Sequence, residues 1–322
     1  MRYLVWLILI PLIFCQCNKS HDDKVEICRF DKDLMTLFEN YSDSNAIKFE
    51  DKHSDIFSLY YSAIIKGNNE ISDTKTKFEL TSQYICNSNF KELYRDVLKQ
   101  FNDLSEEELS IGKGFKNYSK LFNDSFIPAI FTHISPFGYS IITTDSLISI
   151  SLDSYMGSDY EGYKGILYNY QISKKERSRI TSDVFRGWIY AKFPNRANSL
   201  IEGMIYEGAV IYAIDYILED YNEYDIIGYE KDKVEWCVNN EAKIWDAIIK
   251  SNHLYSTENI IYIKYMNEAP YCSALSGDVP AEIGKWIGYK IVSKYIDKNG
   301  VNTITDILNG NIQIVEILKS YN

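Results

Sequence analysis

The sequence predicts an α+β chain, mainly helical, with one small sheet of three strands. Three patterns carry that reading. Apolar residues recur at helical spacing in several long segments, most cleanly over residues 90–101, where Phe90, Leu93, Tyr94, Val97, Leu98 and Phe101 share a stripe. Between residues 127 and 152 the period changes to short β-rich runs. Residues 198–218 are apolar on nearly every face, the pattern of a helix that runs through the middle of a domain. At 322 residues, 46% of them hydrophobic, the chain can bury a sizeable core.

The chain opens on a leader. Met1-Arg2-Tyr3 supplies a positive start, and Leu4 to Phe14 is an apolar run too short to span a bilayer as a helix. It ends in Phe14-Cys15-Gln16-Cys17-Asn18, and a Cys directly after a short apolar region resembles a lipoprotein box, in which that Cys is acylated. Cys17 is preferred to Cys15 because the polar run begins right after it; an ordinary cleaved signal is the alternative. A multiply acylated Cys anchors a protein without any transmembrane helix. The expected organisation is a signal over residues 1–16, a lipidated Cys17 with its tether over 17–27, and a single domain over 28–322. No internal repeat or low-complexity linker divides that domain.

Within the domain, Phe30 opens a short helical segment, and a second helix over residues 55–65 follows an acidic cap at Asp55. Ser105 and Glu108 stand at capping-box spacing ahead of a helix reaching about Phe122. The β-rich runs cover residues 127–134, 138–143 and 147–152, punctuated by Ser135-Pro136-Phe137-Gly138 and Thr144-Asp145-Ser146, and read as a three-stranded meander. Residues 153–170 form a loop dense in Gly and Tyr whose aromatics and carboxylates would suit a pocket. A helix capped by Ser182 or Asp183 then buries Val184, Trp188 and Ala191 and stops at Pro194. Helices over 236–250 and 280–298, the latter with small residues for close packing, and two short ones near 303–308 and 312–319 complete the chain.

The formal charge of −11, with no basic block, argues against nucleic acid as a partner and against electrostatic adhesion to anionic lipid. Four Cys lie beyond the leader: Cys28, Cys86, Cys237 and Cys272. None forms a Cys-x-x-Cys pair, so zinc-finger and thioredoxin chemistry fall away. A Cys237–Cys272 disulfide and buried free thiols both remain open. There is no serine elbow, Walker loop or dinucleotide loop, and no cofactor is expected.

Two stretches look like the active-site helices of a gluzincin peptidase that has lost its metal. Such an enzyme needs His-Glu-x-x-His on one helix and an acidic ligand, often within Glu-Gly-x-Ala, on the next. Glu207-Gly208-Ala209 fits the second. The pentad aligned with the first reads Asp183-Val184-Phe185-Arg186-Gly187, with neither imidazole nor general base. His21, His53, His133 and His253 are the only histidines, and no two stand three or four residues apart. Asp183, Val184, Gly187 and Glu207 are therefore read as vestigial positions, with no catalytic or metal-binding residue assigned. Glu207 and Asp215 share one side of a buried helix and need partners, a hydrogen bond or an Arg being preferred to a metal.

The order of segments adds a family resemblance. Phe30-Asp-Lys-Asp-Leu34, Ile127-Pro-Ala-Ile-Phe-Thr-His-Ile-Ser135, Leu152-Asp-Ser-Tyr-Met-Gly157, Met204-Ile-Tyr-Glu-Gly208, Glu235-Trp-Cys-Val-Asn-Asn-Glu-Ala-Lys-Ile-Trp245, His253-Leu-Tyr-Ser-Thr257 and Gly284-Lys-Trp-Ile-Gly-Tyr-Lys-Ile-Val292 together resemble the gliding motility lipoprotein GldB family of Bacteroidetes. The resemblance implies a lipid-anchored (palmitate-bearing) protein of the cell envelope, tied to gliding and its associated secretion system by protein contacts. It also implies a peptidase-like domain without the zinc motif. The rival functions are a metal-dependent hydrolase using Glu207 with His133 or His253, and a surface binder of glycan or peptide near residues 155–163.

Overall fold

The computed structural model describes residues 23–66, 74–219, 221–275 and 279–321. The leader, Cys17 and His21 lie outside the described residues. Five helices come before most of the sheet: α1 (Phe30–Glu39), α2 (Asp43–Tyr60), α3 (Thr74–Ile85), α4 (Ser88–Gln100) and α5 (Ser105–Phe122). The strands are β1 (Ile27–Cys28), β2 (Ala129–His133), β3 (Ile141–Thr143) and β4 (Leu147–Ser151). After them run α6 (Asn169–Ile172), α7 (Ile180–Lys192), α8 (Leu200–Ile217), α9 (Glu223–Ile227) and α10 (Lys231–Lys250). The last four are α11 (Asn259–Met266), α12 (Ile283–Asn299), α13 (Ile304–Leu308) and α14 (Ile314–Leu318). The α+β, mainly helical class is as the sequence predicts.

The sheet is not a three-stranded meander. It has four strands in the order β1-β2-β4-β3, with β2 parallel to both β1 and β4 and only β3 antiparallel to β4. The reason lies in β4, all five residues of which are buried, so that it needs a partner on each edge. Its Ile148 and Ile150 join the core, while Ser149 bonds His133 across the strand pair at 2.7 Å.

Several helix starts differ from expectation for local reasons. Ser42 caps α2 through the Asn45 amide, so Asp55 sits inside that helix, beyond a kink at His53 (φ −127°, ψ 20°). The capping box at α5 does not form. Ser105 bonds Asp103, and Glu108 takes the Ile27 amide at 3.2 Å and pairs with Lys24 at 2.7 Å. Residues 23–27, the end of the expected tether, thus lie along α5, where a Cβ on Gly112 would come within 2.0 Å of the Asp23 carbonyl. Helix α7 begins at Ile180 rather than Ser182, because an Arg177–Arg179 turn leads into it and the Ser182 hydroxyl donates to the Arg179 and Asp225 carbonyls. Val184 and Trp188 are buried as expected, but Ala191 faces solvent. On α10 the buried stripe is Val234, Cys237, Ile244 and Ile248, and Val238 points outward. Cys237 and Cys272 are buried free thiols, not a disulfide.

Helix α8 is the centre of the packing, with both its polar and its apolar faces largely buried. It crosses α12 backbone to backbone: a Cβ on Gly288 would lie 1.7 Å from the Met204 carbonyl oxygen, and one on Gly208 would lie 2.1 Å from the Gly288 carbonyl carbon. On its other side α8 packs on α7, which passes so close beneath β3 that a Cβ on Gly187 would meet Ile141 at 2.8 Å. Sheet, α7, α8 and α12 are therefore stacked in that order, and the charged ends of α7 and α12 share one cleft.

Candidate functional site

The four positions that the sequence reads as vestigial divide between the core and that cleft. Val184 is fully buried and Gly187 is taken up by the contact with β3. Glu207, on α8, is 7% exposed, and its Oε2 accepts a hydrogen bond from the Tyr190 hydroxyl of α7 at 2.8 Å. Burial, and then the Glu207 charge, push the Tyr190 phenol up to about 12. Asp215, two turns further on, accepts from Tyr289 of α12 at 2.9 Å. Buried Glu207 and half-buried Asp215 thus each have a tyrosine partner.

Asp183 faces the cleft, where its Oδ2 accepts from Tyr155 at 3.0 Å and its other oxygen stands 3.6 Å from Arg179. One turn on, Arg186 donates to the Ile226 carbonyl. Its burial opposes the charge, but Tyr190, Asp183 and Glu207 hold the guanidinium protonated. At the start of α12, Glu282 adopts a left-handed backbone (φ 58°), uncommon for a side chain of its size. It bonds Lys174 and, at 2.7 Å, Lys285. Burial alone would raise the Glu282 carboxyl, but Lys285 and Lys174 bring it down to about 2. The same pairing, helped by Glu207, keeps Lys285 charged despite its burial. Lys175 is different: burial pushes its ammonium below the ordinary range, and it donates only to the Ser140 hydroxyl, at 3.3 Å.

The cleft holds about 260 Å³, and its walls carry the cations Lys174, Lys175, Arg179, Arg186 and Lys285 against the carboxylates Asp183, Glu268 and Glu282. Five against three leaves an excess of two positive charges on the lining, reduced to one by Glu207, which faces Arg186 and Lys285 from behind it, in a chain whose formal net charge is −11. Such a concave basic spot concentrates anionic groups. No histidine lines it among the described residues. His133 is buried, bonds Ser149 and is pushed down by burial to about 3, while His253 bonds Tyr265 at 3.1 Å. The sequence flagged Asp183 and Glu207 but missed Lys174, Lys175, Glu282 and Lys285. The one local hint was the run Lys174-Lys175-Glu176-Arg177 just before α7.

The loop over residues 153–163 links this cleft to a second site. Asp153, fully buried, accepts from the backbone amides of Ser135 at 3.0 Å and Phe137 at 2.6 Å, and fixes the turn after β2. Tyr155 is buried and points to Asp183 rather than into an aromatic pocket. Tyr163 is also buried, with its hydroxyl on the Asp153 carbonyl at 2.7 Å. Only Tyr160 opens outward. With Tyr84, Phe90 and Phe137 it lines a groove of about 650 Å³, whose carboxylates are Glu92, Asp96 and Glu161.

No helix among the described residues is long and apolar enough to cross a membrane. No curated protein and no solved structure matches the chain. One family does match, described as gliding motility protein GldB, over residues 16–322, which takes in Cys17, the sheet, the α7–α8 pair and the cleft. On that near-complete match, the chain belongs to the gliding motility protein GldB family.

Proposed function

We propose that this chain is a lipid-anchored protein of the cell envelope that supports gliding motility, and the secretion machinery associated with it, by holding other envelope proteins without catalysing a reaction. Cys17 is the acylated residue in this reading, after a signal over 1–16, and the body is a gluzincin-like shape that has lost its metal. The observation that carries it is the state of Glu207. Its carboxylate accepts from Tyr190 and is faced by Arg186 and Lys285, so a phenol and two cations, rather than imidazoles, surround the carboxylate that this reading aligns with a gluzincin's acidic ligand. The cationic excess of the cleft favours an acidic segment or a chain-terminal carboxylate of the partner.

Cross-linking in intact envelopes tests this. Adducts formed by the wild type and weakened by Lys175→Glu support it. Turnover of peptides by the purified chain, abolished by a chelator, restored by metal and lost on Glu207→Ala, overturns it. A second reading, a surface binder of glycan or peptide, is favoured by the Tyr84–Phe90–Phe137–Tyr160 groove, since aromatic faces flanked by carboxylates suit sugars and cationic side chains alike. Calorimetry with peptidoglycan fragments and short basic peptides, against a Tyr160→Ala control, separates it from the first.

A further inference from the structure

Away from the cleft, three residues of different chemistry converge where β1, α1 and α2 meet. Cys28, Asp33 and His53 each offer one donor atom, and these atoms lie within 4.8 Å of one another. Cys28 is half-buried on β1, Asp33 is 40% exposed, and His53 is 2% exposed. The His53 ring is fixed between Phe30 and Phe49, with centroids at 5.6 and 4.9 Å, and the kink in α2 falls at this residue.

A single carboxylate oxygen, Asp33 Oδ2, takes Lys52 Nζ at 2.7 Å and His53 Nε2 at 2.8 Å. The Lys52 ammonium thus occupies a cation position beside the carboxylate and the thiol. Its side chain is 64% exposed on a flexible stem, so it can leave at small cost.

We propose that Cys28, Asp33 and His53 bind a divalent cation of the zinc class, displacing Lys52, with one ligand position left to solvent. Thiolate, imidazole and carboxylate together suit zinc, which takes such donors at about 2.0 to 2.3 Å in a tetrahedron. Donor atoms in that geometry stand roughly 3.3 to 3.7 Å apart, so movements of about 1 Å close the site. On binding, the Cys28 thiol gives its proton to solvent and the sulfur bonds the metal, while the His53 Nε2 proton passes to solvent and one proton is taken back at Nδ1, so that the ring stays neutral and bonds the metal through Nε2.

That last step limits affinity. His53 Nδ1 is buried and has no hydrogen-bond partner, so the metal-bound ring lacks an outer acceptor. Missing such a partner weakens metal sites by about 10- to 100-fold, and the site is expected to be weaker by that factor than a fully supported structural zinc site. The physical effect is a clip. Metal would join the strand that follows the tether to the first two helices.

The test uses the full chain, purified in detergent with Cys86→Ser to remove the exposed thiol, and cobalt(II) as probe. The expected result is one cobalt per chain with thiolate-to-metal charge-transfer absorption, displaced by zinc. Cys28→Ser abolishes that absorption, Asp33→Asn weakens binding about tenfold or more, and Lys52→Gln, which removes the competing ammonium, tightens it. Zinc raises the unfolding temperature of the parent but not of Cys28→Ser, whose metal-free circular dichroism is unchanged. Absence of the absorption, its persistence in Cys28→Ser, or weaker binding by Lys52→Gln each overturns the proposal. Zinc lost on Glu207→Ala and kept in Cys28→Ser would instead place metal in the cleft.

Discussion

Replacing Glu282 by glutamine keeps the shape of the side chain and its left-handed backbone (φ 58°), but removes the charge that Lys174 and Lys285 both face. The carboxyl falls from an ordinary 4.5 to about 2 in the folded chain. At about 1.4 kcal/mol for each tenfold change in proton affinity, this amounts to about 3 kcal/mol. The side chains of Glu282 and Lys285 are only 9% and 24% exposed, so solvent screening removes little of it. The raised affinity of Lys285 for its proton describes the same contact and is not added. Leaving Lys285 buried without its partner gives a similar figure, about 3 to 5 kcal/mol.

Because the folded value lies below the unfolded one, this stability is fully present above about pH 4.5 and is lost as the pH falls towards 2. Urea unfolding of both proteins over that range isolates the effect, since the other carboxylates titrate alike in each. Glu282→Gln is expected to be less stable by about 3 kcal/mol at pH 7, with the difference shrinking below pH 4.5. A loss of under about 1 kcal/mol at pH 7, the value of an exposed ion pair, would refute the reasoning. A difference that stays constant down to pH 2 would refute it too.

Tyr190→Phe leaves Glu207 buried without its 2.8 Å donor, and should cost about 1 to 3 kcal/mol by denaturant unfolding while the ring keeps its place on Tyr206. Gly288→Ala drives a methyl into the Met204 carbonyl and forces α8 and α12 apart, which should cost about 3 kcal/mol and lower the unfolding temperature. Asp153→Ala removes the acceptor of the Ser135 and Phe137 amides and of the Ser151 hydroxyl at once, for at least about 3 kcal/mol. Limited proteolysis should then cut first between residues 135 and 163.

What the sequence made legible follows from what periodicity encodes. Residues 200–217 could be placed at the centre because a segment apolar all round can go nowhere else, and the small residues of α12 announced the close crossing at Gly288. Strand order was hidden, since β-rich runs give their own extent and not their neighbours. β1, two residues long, gives no period at all. Ser105 and Glu108 have the spacing of a capping box, but the Ile27 amide and Lys24, about eighty residues away in the chain, compete for the same carboxylate and win. The cleft was invisible for the same reason. Lys174 meets Glu282 across 108 residues of chain, and the basic run at Lys174 gives no sign of that distant partner. Asp33 and His53 are 20 residues apart, on two different helices, so no ligand-spacing motif joins them.

The way residues 23–27 lie along α5 would set the length of the leash that the proposed anchor provides. Their attachment to Glu108, Gly112 and Lys116 fixes the chain to the body from Asp23 onward. With Cys17 acylated as proposed, the six residues from it to Asp23 span at most roughly 20 Å at about 3.3 to 3.6 Å each, less than the length of the 18-residue α5. The globular body is then confined to a thin layer next to the lipid. On that proposal it would meet only partners that come to that surface, and would not stretch across the envelope to find them.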